Sequence, residues 1–366
     1  MNPAFQPKEI YEYLSRKVIG QDEVLRTISV AVYTHIHSLK GANVLLIGNS
    51  GTGKTTIMKS IQRFYMEHPE LQHFSAMAIM NANSLVDEHG DVRVRQMFKT
   101  MEESIRILLR REPTEEELRQ YMGNATVSFD EVDKIPSRIG GKPNVRGIAI
   151  QQALLTILEG EKYVYETRIE ENGRQKTVHI PLDTANLLFI CGGAFEDLYD
   201  HIYSLIVNNK DQRKLKEETY YDADGKMRRS FRLELKKLLR LDDLFGTGYQ
   251  PQFISRFGAI AVLEDLKKEQ LKRILLLAED SPLALARAYF ASLGIRLEVA
   301  DDALDVLAQQ AAQTHRIGAR ALREEFNRVV DPFKFDPYSS TLLRREGDAA
   351  TLVLDKATVV EGLIRK

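Results

Sequence analysis

The feature that most constrains this chain is the run Gly48-Asn49-Ser50-Gly51-Thr52-Gly53-Lys54-Thr55. It follows a short apolar run, Asn43-Val44-Leu45-Leu46-Ile47, and leads into a stretch where Ile57, Met58, Ile61, Phe64 and Tyr65 recur at helical spacing. The setting is therefore strand, glycine-rich turn, helix. Glycines let the backbone curl until its N–H groups point inward, and the helix adds the partial positive charge of its N-terminus. Such a cradle suits phosphate oxygens. At this spacing Lys54 is placed to reach the β- and γ-phosphates of a nucleotide and the Thr55 hydroxyl to hold Mg²⁺, with Thr56 opening the helix. A glycine-rich turn that matches by coincidence is the competing reading, and the flanking strand and helix count against it.

A phosphate loop needs an acidic partner. Thr126-Val127-Ser128-Phe129 runs directly into Asp130-Glu131. Asp130 is the candidate for positioning Mg²⁺ through its water shell, and Glu131 for orienting and polarising the attacking water. One carboxylate serves both purposes poorly, because a group close to the metal is a weak base. Thr126 and Ser128 make this strand less apolar than usual, and a strand that merely ends in acidic surface residues is the alternative.

Further strand candidates lie at 76–80 and 187–191, alternating with helix-like stretches. Alternation of this kind predicts an α/β fold, a parallel sheet with helices on both faces and ligands at the carboxyl ends of the strands. After about Leu263 the pattern changes to helices, with one short strand at 351–354. At 366 residues two domains are the default. They are a large nucleotide domain over 1–262, with an insertion at about 200–241, and a small, mostly helical domain over 263–366. Thr114 to Glu117 matches a capping box, and 163–180 reads as a hairpin about Asn172-Gly173. Residues 201–241, rich in Lys and Arg, read as a solvated surface helix and loop. Lys plus Arg number 51 against 52 Asp plus Glu, which argues against a dedicated nucleic-acid binder. The single cysteine, Cys191, excludes an internal disulfide and sits in an apolar run, as a buried thiol would. No apolar run is long enough to span a membrane and the first residues are not those of a signal peptide, so the cytoplasm is the expected compartment.

Several short segments in order carry a resemblance. They are Val18-Ile19-Gly20-Gln21, the phosphate loop, Phe129-Asp130-Glu131-Val132-Asp133-Lys134-Ile135 and Ile150-Gln151-Gln152-Ala153-Leu154-Leu155. Glu159-Gly160, Cys191-Gly192-Gly193-Ala194-Phe195, Pro251-Gln252-Phe253-Ile254-Ser255-Arg256 and Gly318-Ala319-Arg320 follow. Together they resemble the AAA+ ATPases of the ClpX/HslU type over nearly the whole chain. The resemblance implies ATP and Mg²⁺ as ligands and a ring-shaped homo-hexamer that remodels protein. It implies that Val18 and Ile19 wall the adenine. It implies that Arg256 is an arginine finger reaching the neighbouring subunit's nucleotide, and that Arg320 is the sensor 2 arginine. For an isolated Arg a surface salt bridge is the ordinary role. No sensor 1 side chain is evident in Cys191-Gly192-Gly193.

The chain also departs from that family's pattern. Where ClpX relatives carry an aromatic–aliphatic–Gly pore loop, residues 83–92 read Asn-Ser-Leu-Val-Asp-Glu-His-Gly-Asp-Val. Asp87, Glu88, His89 and Asp91 cannot grip an arbitrary polypeptide by apolar contact, and they suit a basic or polar element of one partner. Residues 139–147 are the other candidate for lining a channel. No Cys-rich zinc module precedes the ATPase motifs, and no Ile-Gly-Phe tripeptide for docking ClpP lies in 201–241. Arg174 and Lys176 stand where ClpX has a basic loop at its channel entrance. The expectation is a ClpX-like remodelling ATPase that acts on a specific protein partner independently of ClpP, without nucleic acid or membrane. A nucleotide-dependent scaffold or switch that recruits a partner without translocation is the alternative. A nucleic-acid motor is disfavoured by the neutral charge.

Overall fold

The computed structural model describes residues 5–39, 43–87, 92–171, 173–221, 227–313, 318–346 and 349–364. The chain divides into two compact units. The first comprises Met1–Leu14, Glu23–Gly48 and Thr55–Leu263; the second comprises Ser15–Asp22, Asn49–Lys54 and Glu264–Lys366. Among the described residues no helix is long and apolar enough to cross a membrane.

A five-stranded sheet organises the first unit: β1 Asn43–Ile47, β2 Met77–Asn81, β3 Thr126–Asp130, β4 Leu188–Gly193 and β5 Phe257–Val262. Their spatial order is β5-β1-β4-β3-β2, and every neighbouring pair is parallel. Parallel strands bring their carboxyl ends to one edge, so Ile47, Asn81, Asp130 and Gly193 share it. The inner strands are covered on both faces, which is why β1 and β4 read as continuous apolar runs. Phe129 and Phe189 stack in that core with centroids 6.4 Å apart. Thr126 and Ser128 are buried with them despite their hydroxyls. β5 escapes a reading of the sequence because Gly258, Ala259 and Ala261 dilute its apolar signal. Its helices include α1 Lys54–Glu67, α2 Val94–Leu109 and α3 Val145–Glu159.

The insertions are more ordered than their composition predicts. Residues 201–241, read as solvated helix and loop, instead continue helix Glu196–Val207 into a hairpin of Lys216–Tyr221 with Met227–Arg232. The physical reason is Arg213. Its buried guanidinium pairs with Asp243 at 2.6 Å and Asp211 at 2.8 Å and donates to the Leu238 carbonyl at 2.6 Å, anchoring the segment at its base. Counting surface charge cannot reveal a cation that has found buried acceptors. The second hairpin runs over Lys162–Glu171 and Arg174–Asp183, longer than 163–180; Asn172 at its turn lies outside the described residues. Glu102 of α2 holds it, accepting from Tyr165 Oη at 2.7 Å, Thr167 Oγ1 at 3.0 Å and Arg106 at 2.6 Å. The capping box is present: Thr114 Oγ1 accepts from Glu117 N, and the Glu117 carboxylate accepts from Thr114 N, at the head of Glu115–Gly123.

The second unit contains helices Lys268–Leu277, Pro282–Ser292, Asp301–Gln313, α4 Ala319–Phe335 and Lys356–Ile364. Instead of one short strand it carries a three-stranded sheet, Ile295–Val299 beside Ala349–Leu354 beside Leu343–Glu346. Ile295 and Leu297 alternate with the exposed Arg296 and Glu298, a period-2 pattern that helical neighbours mask in the sequence. Leu271, Leu275, Leu304, Leu307, Leu322 and Phe326 centre its separate core.

Candidate nucleotide-binding site

β1 ends at Ile47, and Gly48 N donates to the Gly193 carbonyl of β4 at 3.1 Å. The loop that follows turns twice through left-handed backbone, at Gly51 with φ 74° and Gly53 with φ 107°, where a side chain would be strained. Thr52 Oγ1 donates to the Asn49 carbonyl at 2.8 Å, and Lys54 Nζ to the same oxygen at 3.1 Å. Ser50 is half-buried, while Thr55 and Thr56 stand exposed on the first turn of α1. Val18 is buried, with a methyl 3.8 Å from where a Cβ on Gly53 would stand, and Ile19 beside it is half-buried. Gly318 precedes α4 with φ 53°, and a Cβ there would stand 2.7 Å from the Gly51 carbonyl. Ala319 N donates to that carbonyl at 3.1 Å. Arg320 is therefore exposed on the first turn of a helix whose N-terminus rests on the phosphate loop.

The acidic element lies in the first unit. Asp130 closes β3, and Glu131 follows in left-handed backbone, φ 57°, with its N–H on Asp130 Oδ1 at 2.9 Å. A non-glycine residue held there costs on the order of 1 kcal/mol, so the turn is imposed by its surroundings. Asn81, which ends β2 and pairs in register with Asp130, donates its side-chain amide to the Glu131 carboxylate. Its own Oδ1 accepts from Asn83 N at 2.9 Å. Sequence reasoning passed over Asn81; the only signal is a polar residue at a strand end, meaningful once β2 is known to lie beside β3. β4 supplies no polar side chain at the sensor 1 place. Gly193 is required there because a Cβ would stand 2.5 Å from Asp133 Oδ1.

The donor set fits a nucleotide with Mg²⁺. Within the second unit the curled loop offers backbone N–H groups, suited to phosphate; within the first, Thr55 offers a hydroxyl and Asp130 a carboxylate, groups suited to a hard, oxygen-seeking cation. Among the described residues no cluster of three metal-ligating side chains exists.

The family model of the AAA domain (Cdc48 subfamily) matches residues 39–257. The ATP-dependent Clp protease ATP-binding subunit ClpX of Azotobacter vinelandii is 31% identical, over 92% of this chain and 76% of its own. The chain is a ClpX-like AAA+ ATPase. ClpX of Porphyromonas gingivalis is 28% identical over 96% of this chain and 81% of its own, and ClpX 2 of Wolinella succinogenes 30% over 90% and 77%.

In this ATPase Arg256 lies at the amino ends of the strands, the opposite end of β1 from Ile47. It directly precedes β5, whose first residue, Phe257, pairs with Asn43 at the start of β1. Asn43 Nδ2 donates to the Arg256 carbonyl at 3.3 Å. The exposed guanidinium forms an ion pair with Glu159, the last residue of α3.

Residues 83–87, the described part of the segment read as the pore-loop counterpart, are held closely. Leu85 and Val86 are buried, Arg93 N donates to the Leu85 carbonyl at 2.7 Å, and Arg93 pairs with Asp87 at 3.1 Å. Arg146 of α3 donates to the Asn83 carbonyl at 3.3 Å. Glu88, His89, Gly90 and Asp91 lie outside the described residues. Ile139 and Val145, in the alternative segment, are exposed. Of the basic pair on the second hairpin, Lys176 is neutralised by Glu115 at 3.3 Å and Glu171 at 3.2 Å, while Arg174 is exposed. Burial pushes the Cys191 thiol up and leaves it inert, as its apolar run predicts.

Proposed function

We propose that this ATPase works as a cytoplasmic, ring-shaped homo-hexamer that spends MgATP on remodelling a specific protein partner, without ClpP. One observation carries the reading. Arg256 lies about a strand's length from the edge where the phosphate loop leaves β1, so an arginine finger from this position serves a neighbour's nucleotide. In that assembly Gly48, Asn49, Ser50, Gly51, Thr52 and Gly53 wrap the phosphates and Lys54 neutralises their charge. Thr55 and Asp130 would hold Mg²⁺, which would offset the charge of the phosphates. Glu131, oriented by Asn81, takes the proton of the attacking water. Arg320 reaches the phosphates from α4, and Val18 and Ile19 wall the adenine.

The partner reading rests on the loop over 83–87, whose apolar side chains are turned inward and whose Asp87 is already paired. The relatives carry the name of a protease's ATP-binding subunit, yet 201–241 lacks an Ile-Gly-Phe tripeptide and forms an anchored hairpin. The same inward-turned loop also favours a second reading, a nucleotide-dependent scaffold that recruits a partner without translocation. The deciding experiment gives the protein MgATP and a stably folded, unrelated protein with an unstructured tail, with and without ClpP. The remodelling reading expects ATP turnover, no general unfolding and no degradation. Degradation with ClpP removes the claim of independence, and efficient unfolding of the unrelated protein removes partner specificity. A partner captured by the Glu131→Gln form but never altered by ATP favours the scaffold.

A further inference from the structure

Three consecutive residues carry the chain from the first unit into the second, and each is gripped by a different residue near the phosphate loop. Leu263 N donates to the carbonyl of Ile47, the last residue of β1, at 2.7 Å. Glu264 is held at both backbone groups by the side-chain amide of Gln21: Glu264 N donates to Oε1 at 3.2 Å, and Nε2 donates to the Glu264 carbonyl at 2.9 Å. Asp265 Oδ1 accepts from Asn49 Nδ2 at 2.7 Å. Gln21 Nε2 also donates to the Thr52 carbonyl at 3.0 Å. Gln21 and Asn49 are 3% and 2% exposed, so water competes little for these bonds.

We propose that Asn49 and Gln21 are positioning residues that latch the phosphate loop to the crossing segment 263–265, so that seating a nucleotide phosphate is felt where the chain passes between units. This rests on the ATPase reading of the loop. Asn49 is the junction. Its carbonyl holds the Lys54 ammonium at 3.1 Å and the Thr52 hydroxyl at 2.8 Å, while its side chain holds Asp265. A phosphate that draws Lys54 away takes a charge off the Asn49 carbonyl, and the peptide that carries it is the one whose side chain grips Asp265. Asn49 Oδ1 is buried and has no hydrogen-bond partner, so among the described residues the carboxylate of Asp265 alone orients this amide. A hydrogen bond to an ionised acceptor belongs to the stronger class. Glu264 and Thr52 share one donor group on Gln21, which ties the far side of the loop to the same segment.

The test follows hydrogen–deuterium exchange at amides of 49–54 and 263–267 in the wild type and in Asn49→Ala, Asp265→Ala and Asp265→Asn. ADP and a non-hydrolysable ATP analogue serve as probes. Asp265→Asn keeps a side-chain carbonyl oxygen that still accepts from Asn49, so it is the conservative rescue. Without nucleotide, Asp265→Ala is expected to speed exchange of 49–54 by at least about fivefold, and Asp265→Asn to stay near the wild type. With nucleotide, the wild type and Asp265→Asn change protection at 263–267, whereas Asp265→Ala binds the probe and loses that change; Asn49→Ala is read only without nucleotide. An Asp265→Ala variant that binds nucleotide and responds as the wild type overturns the latch. If Asn49→Ala fails to fold, the two Asp265 variants decide alone. A wild type that binds no nucleotide sinks the ATPase reading, and the nucleotide-free arm still decides whether the latch exists.

Discussion

Arg256 is expected to act only across a subunit boundary, and mixing inactive subunits measures this directly. β1 spans five residues between the Arg256 edge and the phosphate-loop edge, about 15 Å at the rise of a parallel strand, farther than an arginine side chain extends. A Lys54→Ala subunit has a dead loop and an intact finger; an Arg256→Ala subunit has the reverse. In an equimolar random mixture about one interface in four joins an intact loop to an intact finger, so about one quarter of wild-type turnover should return. A control sharpens the test. When wild type is diluted with the Lys54→Ala/Arg256→Ala double variant, trans action makes turnover fall as the square of the wild-type fraction, to about one quarter at equal amounts. Action within one chain leaves about one half in that control and none in the first mixture. Phosphate release is the assay, with native mass spectrometry showing that rings are mixed. No rescue in mixed rings, or a linear dilution curve, would refute the sheet-edge argument.

The remaining expectations concern single groups. Lys54→Ala should abolish nucleotide binding, while Glu131→Gln keeps it and loses turnover by about 100-fold or more, read from ATP affinity and phosphate release. Asn81→Ala should lower kcat by about tenfold with KM nearly unchanged, because it frees the Glu131 carboxylate without touching the loop; equal changes in both would place Asn81 in binding instead. Glu159→Gln releases Arg256 from its exposed pair, and half-maximal hydrolysis should need up to about fivefold less protein, since such pairs are worth under about 1 kcal/mol. Burial, against a hydrogen bond to the Asn124 carbonyl and with His73 nearby, lowers the His35 pKa from 6.5 to about 4. The unfolded chain therefore binds a proton below 6.5 that the folded chain refuses until about 4. Stability should fall as pH drops through that window, by about 1.4 kcal/mol per unit and about 3 kcal/mol in all. Urea titrations of wild type and His35→Gln at about pH 7.5 and about pH 5 check this, and an identical pH dependence in the two would exclude His35.

What could be read from the sequence was what neighbours in sequence decide. The strand–turn–helix about Gly48 to Thr55 is local: apolar run, glycines and helical periodicity lie within about two dozen residues, and the backbone there follows from them. β3 ending in Asp130-Glu131 and the Thr114–Glu117 cap are legible for the same reason. Charge counting over 201–241 found its exposed surface and helix but missed the hairpin, because the fate of Arg213 depends on Asp243, thirty residues on, which no local window contains. β5 and the strand Ile295–Val299 were obscured by small or alternating side chains whose burial only a sheet partner explains. The site was likewise half legible. Its ligand-facing residues announce themselves by type and spacing. Their supports come from strand order and from contacts between residues far apart in the chain. Asn81 reaches Glu131 because β2 lies beside β3, and Arg256 lies at the opposite end of β1 from Ile47 because β5 runs parallel to β1. Gln21 clasps Glu264 across 243 residues. The chemistry is thus carried by short segments whose backbone geometry is local. Which groups orient it, and whose subunit completes it, depend on where the sheet and core deliver distant segments, and only tertiary packing decides that.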